Sequence, residues 1–202
     1  MPGKIIFYYN PQSRAAMTRW MLEEVGADYE IRTIDFTAGD SRSPEFLAIN
    51  PMGKIPTIVL DDGTVLTETG AILTWLADAF PDAGLAPPLG SSARGTMYRW
   101  LFFAGSCWEP AMIDRMMRPD APGSKQMLGW GDYDDVIDTF EKAMQPGPWL
   151  LGDQFSAADV YVAASLGWGG MFGAPRIKES AVIQDYIARA TARPAYARAN
   201  PG

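Results

Sequence analysis

The sequence has no histidine and a single cysteine, Cys107, among its 202 residues. Without histidine there can be no Ser-His-Asp or Cys-His triad, no histidine-led zinc site and none of the commonest general base. With one cysteine there can be no disulfide within the chain, no paired-cysteine redox motif and no thiolate metal cage. Chemistry must then rest on hydroxyls, carboxylates, basic side chains or a reactive group that a ligand brings. No metal is expected.

The chain also lacks a basic block and a long apolar run. Its formal net charge is −7, with both signs interspersed, so no surface for nucleic-acid phosphates is expected. The opening MPGKIIFYYN holds only the apolar run Ile5 to Tyr9, too short for a signal-peptide core or a membrane span. A cytoplasmic location away from membranes follows as an expectation. Apolar residues make up 48% of the chain, which suits one or two ordinary compact units.

What is present divides by period. Ile5 to Tyr9 reads as a strand buried on both faces. Met17, Met21, Leu22 and Val25 recur at helical spacing after Asn10-Pro11-Gln12, and Gly26 ends that helix. Tyr29, Ile31 and Thr33 alternate with Glu30 and Arg32, a half-exposed strand. This strand-helix-strand unit implies parallel pairing through a right-handed crossover. Thr57 to Leu60 and Thr64 to Leu66, joined by Asp61-Asp62-Gly63, predict a hairpin. Ile72, Leu73, Trp75, Leu76 and Ala79 mark the helix after it. The sum is a mixed four-stranded sheet with helices packed on it, an α/β thioredoxin-like N-terminal domain over residues 1–80.

Pro, Gly, Ser and Ala dominate Pro81 to Ser92, so residues 81–91 are taken as a linker. Residues 92–202 show no strand alternation and predict an all-α C-terminal domain. A long helix spans Ala93 to Met117, kinked at Pro110 unless the ring is locally accommodated. Trp130, Tyr133, Ile137, Phe140 and Met144 mark a second helix, ended by Pro146-Gly147-Pro148. Ser156-Ala157-Ala158-Asp159 has capping-box spacing at the start of a third. Ala181 to Ala192 and a short tail complete the chain. Cys107 sits inside an apolar helical run and reads as a buried small hydrophobe.

Three segments carry candidate chemistry. At Tyr9-Asn10-Pro11-Gln12-Ser13-Arg14 a strand gives way to a helix, where backbone donors and the positive helix end favour an anion and Ser13 adds a hydroxyl. Ser13 is equally suited to plain N-capping. In Asn50-Pro51-Met52-Gly53-Lys54-Ile55-Pro56-Thr57, Pro56 suggests a cis peptide that turns the Ile55 backbone outward to pair with a peptide ligand, or else an ordinary strand-initiating proline. At Leu66-Thr67-Glu68-Thr69-Gly70-Ala71 the Thr69 hydroxyl and helix-start amides suit a carboxylate while Glu68 suits an ammonium group; capping is the alternative use.

The order of these segments, followed by Gly152-Asp153-Gln154-Phe155-Ser156-Ala157-Ala158-Asp159 in a helical second half, resembles the glutathione S-transferases, with bacterial serine-type members nearest. The resemblance spans nearly the whole chain. It implies glutathione as co-substrate, conjugated to small hydrophobic electrophiles. It also implies a hydrogen bond from Ser13 to the glutathione sulfur, backbone pairing at Ile55 before Pro56, a γ-glutamyl grip by Glu68 and Thr69, and reach of Lys54 to the glycyl carboxylate. Asn10 is the other candidate donor to the sulfur. Trp108, Met112, Arg115 and Met116, late in the long helix, are candidates for an electrophile pocket between the domains, with core or dimer packing as the alternative. A homodimer is implied, and the Ser156/Asp159 box is a folding signal in such proteins. A glutathione-binding carrier, or a peroxidase, isomerase or ether-cleaving enzyme, fits the same scaffold.

Overall fold

The computed structural model describes residues 3–120 and 123–201; Met1, Pro2, Ala121, Pro122 and Gly202 lie outside the described residues. Two compact units emerge, one formed by the chain up to Gly84 together with the residues from Pro194 on, the other by Leu85–Arg193.

In the first unit, β1 (Ile5–Tyr9) leads into α1 (Ala15–Val25) and returns as β2 (Tyr29–Thr33). Gly26 ends α1 in the left-handed conformation, and its N–H bonds the Leu22 carbonyl. A short α2 (Pro44–Ile49) follows, with the Ser43 side chain accepting from the Phe46 N–H and Pro44 in the first turn. Then come β3 (Thr57–Val59), β4 (Val65–Thr67) and α3 (Thr69–Ala79). The strand order is β2-β1-β3-β4, with β1 parallel to β2 and antiparallel to β3, and β3 antiparallel to β4. This is the mixed thioredoxin-like sheet, closed at the hairpin by Gly63 at φ 84. A left-handed residue there costs glycine nothing.

β1 differs from its expected burial. Ile5, Phe7 and Tyr9 are buried, while Ile6 and Tyr8 are half-covered. The second face is roofed in part by α2, whose Phe46 lies 5.2 Å from the Tyr8 ring. The main core forms on the other face, where Phe7, Trp20, Met21, Leu22, Ile58, Ile72, Leu73 and Leu76 are fully enclosed. Each such side chain contributes about 1.5–3 kcal/mol. The terminal helix α9 (Pro194–Ala199) docks on α1 in this unit, with the Tyr196 ring edge-on to Trp20 at 5.0 Å and Arg198 donating to Glu23. The tail assigned to the helical domain therefore packs with the first one.

The second unit is helical: α4 (Ser92–Phe103), α5 (Glu109–Met117), α6 (Tyr133–Met144), α7 (Ala157–Met171) and α8 (Ala181–Thr191). One π-helical turn, Ala104–Trp108, joins α4 to α5 without a break. There the Glu109 N–H reaches the Ala104 carbonyl one residue farther back than in an α-helix. The widened turn is what accommodates Pro110, whose ring would otherwise meet the carbonyl four residues earlier. The helix predicted from Trp130 starts at Tyr133, because Gly131 turns at φ 73 and Asp132 caps by accepting from the Asp135 N–H.

α7 is buried on nearly every side. Gly169 makes its close approach possible, since a Cβ there would stand 2.7 Å from Trp108 Cζ2 and 2.9 Å from Met112 Sδ. The capping box forms, with Asp159 accepting from the Ser156 N–H and hydroxyl, from the Leu150 N–H and from the Tyr186 hydroxyl.

Candidate functional site

Strand register decides what meets at the site. Tyr8 of β1 lies opposite Thr57 of β3, and Thr57 lies opposite Thr67 of β4. Residues leaving β1, entering β3 and leaving β4 therefore share one end of the sheet. Neighbouring strands lie about 4.8 Å apart, so the approaches to α1 and α3 flank the Ile55 segment at roughly 10 Å from each other. Ser13, Asn10, Lys54, Ile55, Pro56, Glu68 and Thr69 all belong to these three connections.

Ser13 is half-buried. Its hydroxyl donates to the Asn10 carbonyl at 2.7 Å and accepts from the Ala15 N–H at 3.2 Å. Arg14, with helical angles and no capping side chain, takes the N-cap position, so Ser13 stands one residue ahead of it. The Asn10 amide donates to the Ile34 carbonyl at 2.8 Å, and its oxygen accepts from the Gln12 N–H at 2.8 Å. That side chain ties the turn to the segment after β2.

The Ile55–Pro56 peptide is cis, as the sequence suggests. Pro56 and the Ile55 side chain are buried and Lys54 is exposed. Among the described residues, neither the N–H nor the C=O of Ile55 bonds within the chain. Such a backbone is open to pairing with an extended ligand.

Glu68 is exposed at φ 65 and ψ 119, a conformation that costs a non-glycine residue about 1–3 kcal/mol and that recurs at functional sites. Its carboxylate has no partner among the described residues. Thr69 opens α3, is 8% exposed, and its hydroxyl makes no hydrogen bond among the described residues. No side chain caps α3, so its first N–H groups remain available to an anion.

The electrophile candidates separate. Trp108 and Met112 are 0% and 1% exposed, sealed in the core of the second unit against α7, so they offer no surface to a ligand. Arg115 lies over the Tyr133 ring at 5.8 Å and near Asp134, with Met116 partly exposed beside it. Met171 and Phe172 are exposed large apolar residues at the end of α7, where Phe172 packs on Trp168 at 4.5 Å. Cys107 is partly exposed rather than buried, because the π turn rotates it off the core stripe. Among the described residues no group of three or more Cys, Asp or Glu side chains is placed to hold a metal ion. No helix among them is long and apolar enough to cross a membrane.

A sheet of this order with an open backbone between two helix starts, followed by a helical unit, defines a thioredoxin-like domain joined to an all-α one. Residues 3–78 match the glutathione S-transferase N-terminal domain and residues 110–168 the corresponding C-terminal domain. A glutathione transferase from Methylococcus capsulatus superposes with a TM-score of 0.81 at 33% identity, covering 96% of both chains. A homologue from Sulfitobacter with bound glutathione gives 0.81 at 27% identity, covering 98% of this chain and 97% of that one. The glutathione S-transferase GstA of Escherichia coli O157:H7 is 28% identical over 80% of each chain. The chain belongs to the glutathione S-transferase family of enzymes. Relatives with other names include a maleylacetoacetate isomerase of Pseudomonas aeruginosa, 26% identical over 98% of this chain and 95% of its own, and the disulfide-bond oxidoreductase YfcG of Escherichia coli K12, 29% identical over 77% and 76%.

Proposed function

We propose that the protein binds glutathione at the shared end of the sheet, holds its sulfur as a thiolate and presents it to small hydrophobic electrophiles. The observation that carries this reading is the unpaired Ile55 backbone flanked by the starts of α1 and α3. Glutathione's cysteinyl unit pairs with Ile55, its γ-glutamyl carboxylate meets Thr69 and the α3 amides, its ammonium meets Glu68, and its glycyl carboxylate meets Lys54. Ser13 donates to the sulfur.

The energetics suffice without a histidine or a metal. A free thiol has a pKa near 8.5, so half-ionisation at pH 7 requires lowering it by about 1.5, or about 2 kcal/mol. A hydrogen bond to a charged sulfur contributes about 1.5–3 kcal/mol and a helix N-terminus about 0.3–1. We take Ser13 as the donor: the Asn10 side chain bonds the Ile34 carbonyl and the Gln12 N–H and so fixes the turn, whereas the Ser13 hydroxyl can exchange its bond to the Asn10 carbonyl for the sulfur by rotating about its C–O bond. The thiolate forms a C–S bond to the electrophile, and either the leaving group departs with the electron pair of its broken bond or a π bond opens and the resulting carbanion takes a proton from water, with no covalent enzyme intermediate.

Of the electrophile candidates, Arg115 and Met116 are the ones that keep exposed surface. A homodimer in the cytoplasm completes the reading; Met52 and Phe102, 66% and 73% exposed, are apolar side chains that such an interface would cover. Sedimentation tests it, and a monomer at micromolar concentration would overturn it.

The test of the chemistry is Ser13→Ala. Ultraviolet difference spectra should show thiolate absorbance of bound glutathione at pH 7 in the wild type and its displacement to higher pH in the variant, with glutathione affinity retained. An unchanged titration removes Ser13 from the role. Because relatives include an isomerase and a disulfide oxidoreductase, aryl halides should be assayed beside hydroperoxides, a cis-trans isomerisation substrate and a small disulfide. Binding without turnover of any of them would favour a carrier.

A further inference from the structure

We infer that Asn50 and Thr57 are positioning residues for glutathione, acting through the carbonyl of Lys54. The inference rests on the glutathione reading above and concerns residues that touch no part of the ligand in it.

Asn50 ends α2 and is 4% exposed. Each of its polar groups is used. Its N–H donates to the Phe46 carbonyl, and its C=O accepts from the Gly53 N–H. Its side-chain oxygen accepts from the Met52 N–H at 3.1 Å, while the amide donates to the Lys54 carbonyl at 2.8 Å and to the Thr57 hydroxyl at 3.1 Å. Thr57, fully buried on β3, passes its own hydroxyl hydrogen to the same Lys54 carbonyl at 2.9 Å.

One carbonyl thus receives two donors, one from the end of α2 and one from the centre of the sheet. Two bonds fix the plane of the Lys54–Ile55 peptide, and that plane aims the Ile55 N–H. Thr57 is also the residue paired with both Tyr8 and Thr67, so the peptide is referenced to the strands that carry the other two connections of the site. The loop is further confined at Gly53, at φ 61, where a Cβ would stand 2.5 Å from the Ser41 carbonyl and Arg42 donates to the Met52 carbonyl.

The residue types are specific. Asparagine offers one acceptor and two donors at this reach; aspartate has the same shape but turns both donors into acceptors facing the Lys54 carbonyl. Valine matches threonine in shape and lacks the hydroxyl. Loss of either donor leaves the loop in place and lets the peptide plane rotate, so the ligand's backbone partner is no longer preorganised.

The experiment is calorimetry of glutathione on the full chain, for wild type, Thr57→Val, Thr57→Ser and Asn50→Asp, with KM for glutathione and for the electrophile measured beside it. Thr57→Val and Asn50→Asp should each weaken glutathione binding about tenfold and raise its KM in proportion. Thr57→Ser should stay within about twofold of wild type, and the electrophile's KM and the pH profile should not move. A purely structural role would lower the melting temperature and leave the glutathione constant of the folded protein unchanged, which overturns the inference. No glutathione heat in the wild type would instead overturn the functional reading itself, and the inference with it.

Discussion

The Ser13 hydroxyl donates to the carbonyl of Asn10 at 2.7 Å, and the Asn10 side chain holds that carbonyl in place by bonding to Ile34. The two residues that compete for the sulfur in the sequence are thus serially arranged: one anchors the turn, the other hangs from it. The hydrogen that Ser13 gives to a thiolate must first leave the Asn10 carbonyl, an exchange of a neutral bond for a charge-assisted one that is about twice as strong.

This arrangement predicts different phenotypes. Asn10→Ala should lower stability by about 1–3 kcal/mol, because the Gln12 N–H and the Ile34 carbonyl lose their partner. The pKa of the bound thiol should stay at its wild-type value in that variant. Ser13→Ala should move the thiol, with a stability loss of about 0.5–2 kcal/mol from the Ala15 N–H that loses its acceptor. Thiolate titration of Asn10→Ala decides; a shift as large as that of Ser13→Ala would hand the sulfur to Asn10.

Glu68 holds φ 65 without being glycine. Replacing it by glycine relieves about 1–3 kcal/mol of conformational cost and adds back about 0.5–1 in lost chain entropy. Glu68→Gly should therefore be more stable than wild type by about 1 kcal/mol while its KM for glutathione rises at least tenfold. Chemical denaturation and steady-state kinetics on one preparation check both. A variant both less stable and unaltered in KM would remove the residue from the γ-glutamyl grip.

How much of this was legible in the sequence depended on how far each feature reports itself locally. β1, α1, the Asp-Gly hairpin and α3 announce their period or turn chemistry, and the mixed sheet follows from their order. α2 has Ser43 and Pro44 at its start but spans too few residues to show a helical stripe. α9 buries only Ala195 and Ala199 of its own, and its contacts with α1, among them Arg198 to Glu23, bridge sequence separations of about 175 residues. The π turn carries no pattern beyond Pro110. Trp108 and Met112 show why a site is harder to read than a fold: a methionine and aromatic stripe looks alike whether it faces a ligand or a core, and here α7 covers it through Gly169. The three connections were legible because capping residues and a strand-initiating proline are unusual at those points. The Asn50 network was not, since all but its bond to the Thr57 hydroxyl run to main-chain atoms.

The α9 contact yields its own prediction. Ending the chain after Arg193 removes Tyr196 and Arg198, baring the Trp20 ring, which is 0% exposed in the full chain. The exposed ion pair contributes little, so the loss should be dominated by apolar area and amount to about 2–3 kcal/mol. Arg198→Ala alone should cost under about 1 kcal/mol. Urea midpoints of the two variants test the ranking, and equal losses would show that the guanidinium, not the ring, fastens the helix.

Asp159 supplies the pH dependence. It is fully enclosed, and burial raises its carboxyl above the ordinary range although the Leu150 N–H, the Tyr186 hydroxyl, the Ser156 hydroxyl and the Ser156 N–H pull the other way. The folded chain therefore keeps this proton to a higher pH than the unfolded chain, whose carboxyl titrates near 3.9. Between the two values the folded state binds more protons, so the contribution of Asp159 to stability falls as pH rises and is smallest above the folded value. Asp159→Asn does not titrate. The advantage of wild type over this variant should be largest near pH 4 and shrink toward neutrality. Asp159→Ala should cost about 3 kcal/mol or more across the range, because it orphans buried donors of the box and of Leu150. Urea denaturation of the three proteins at about pH 4, 5.5 and 7 gives both results; a wild-type advantage that widens with pH would mean that the four donors outweigh burial and hold the carboxylate charged.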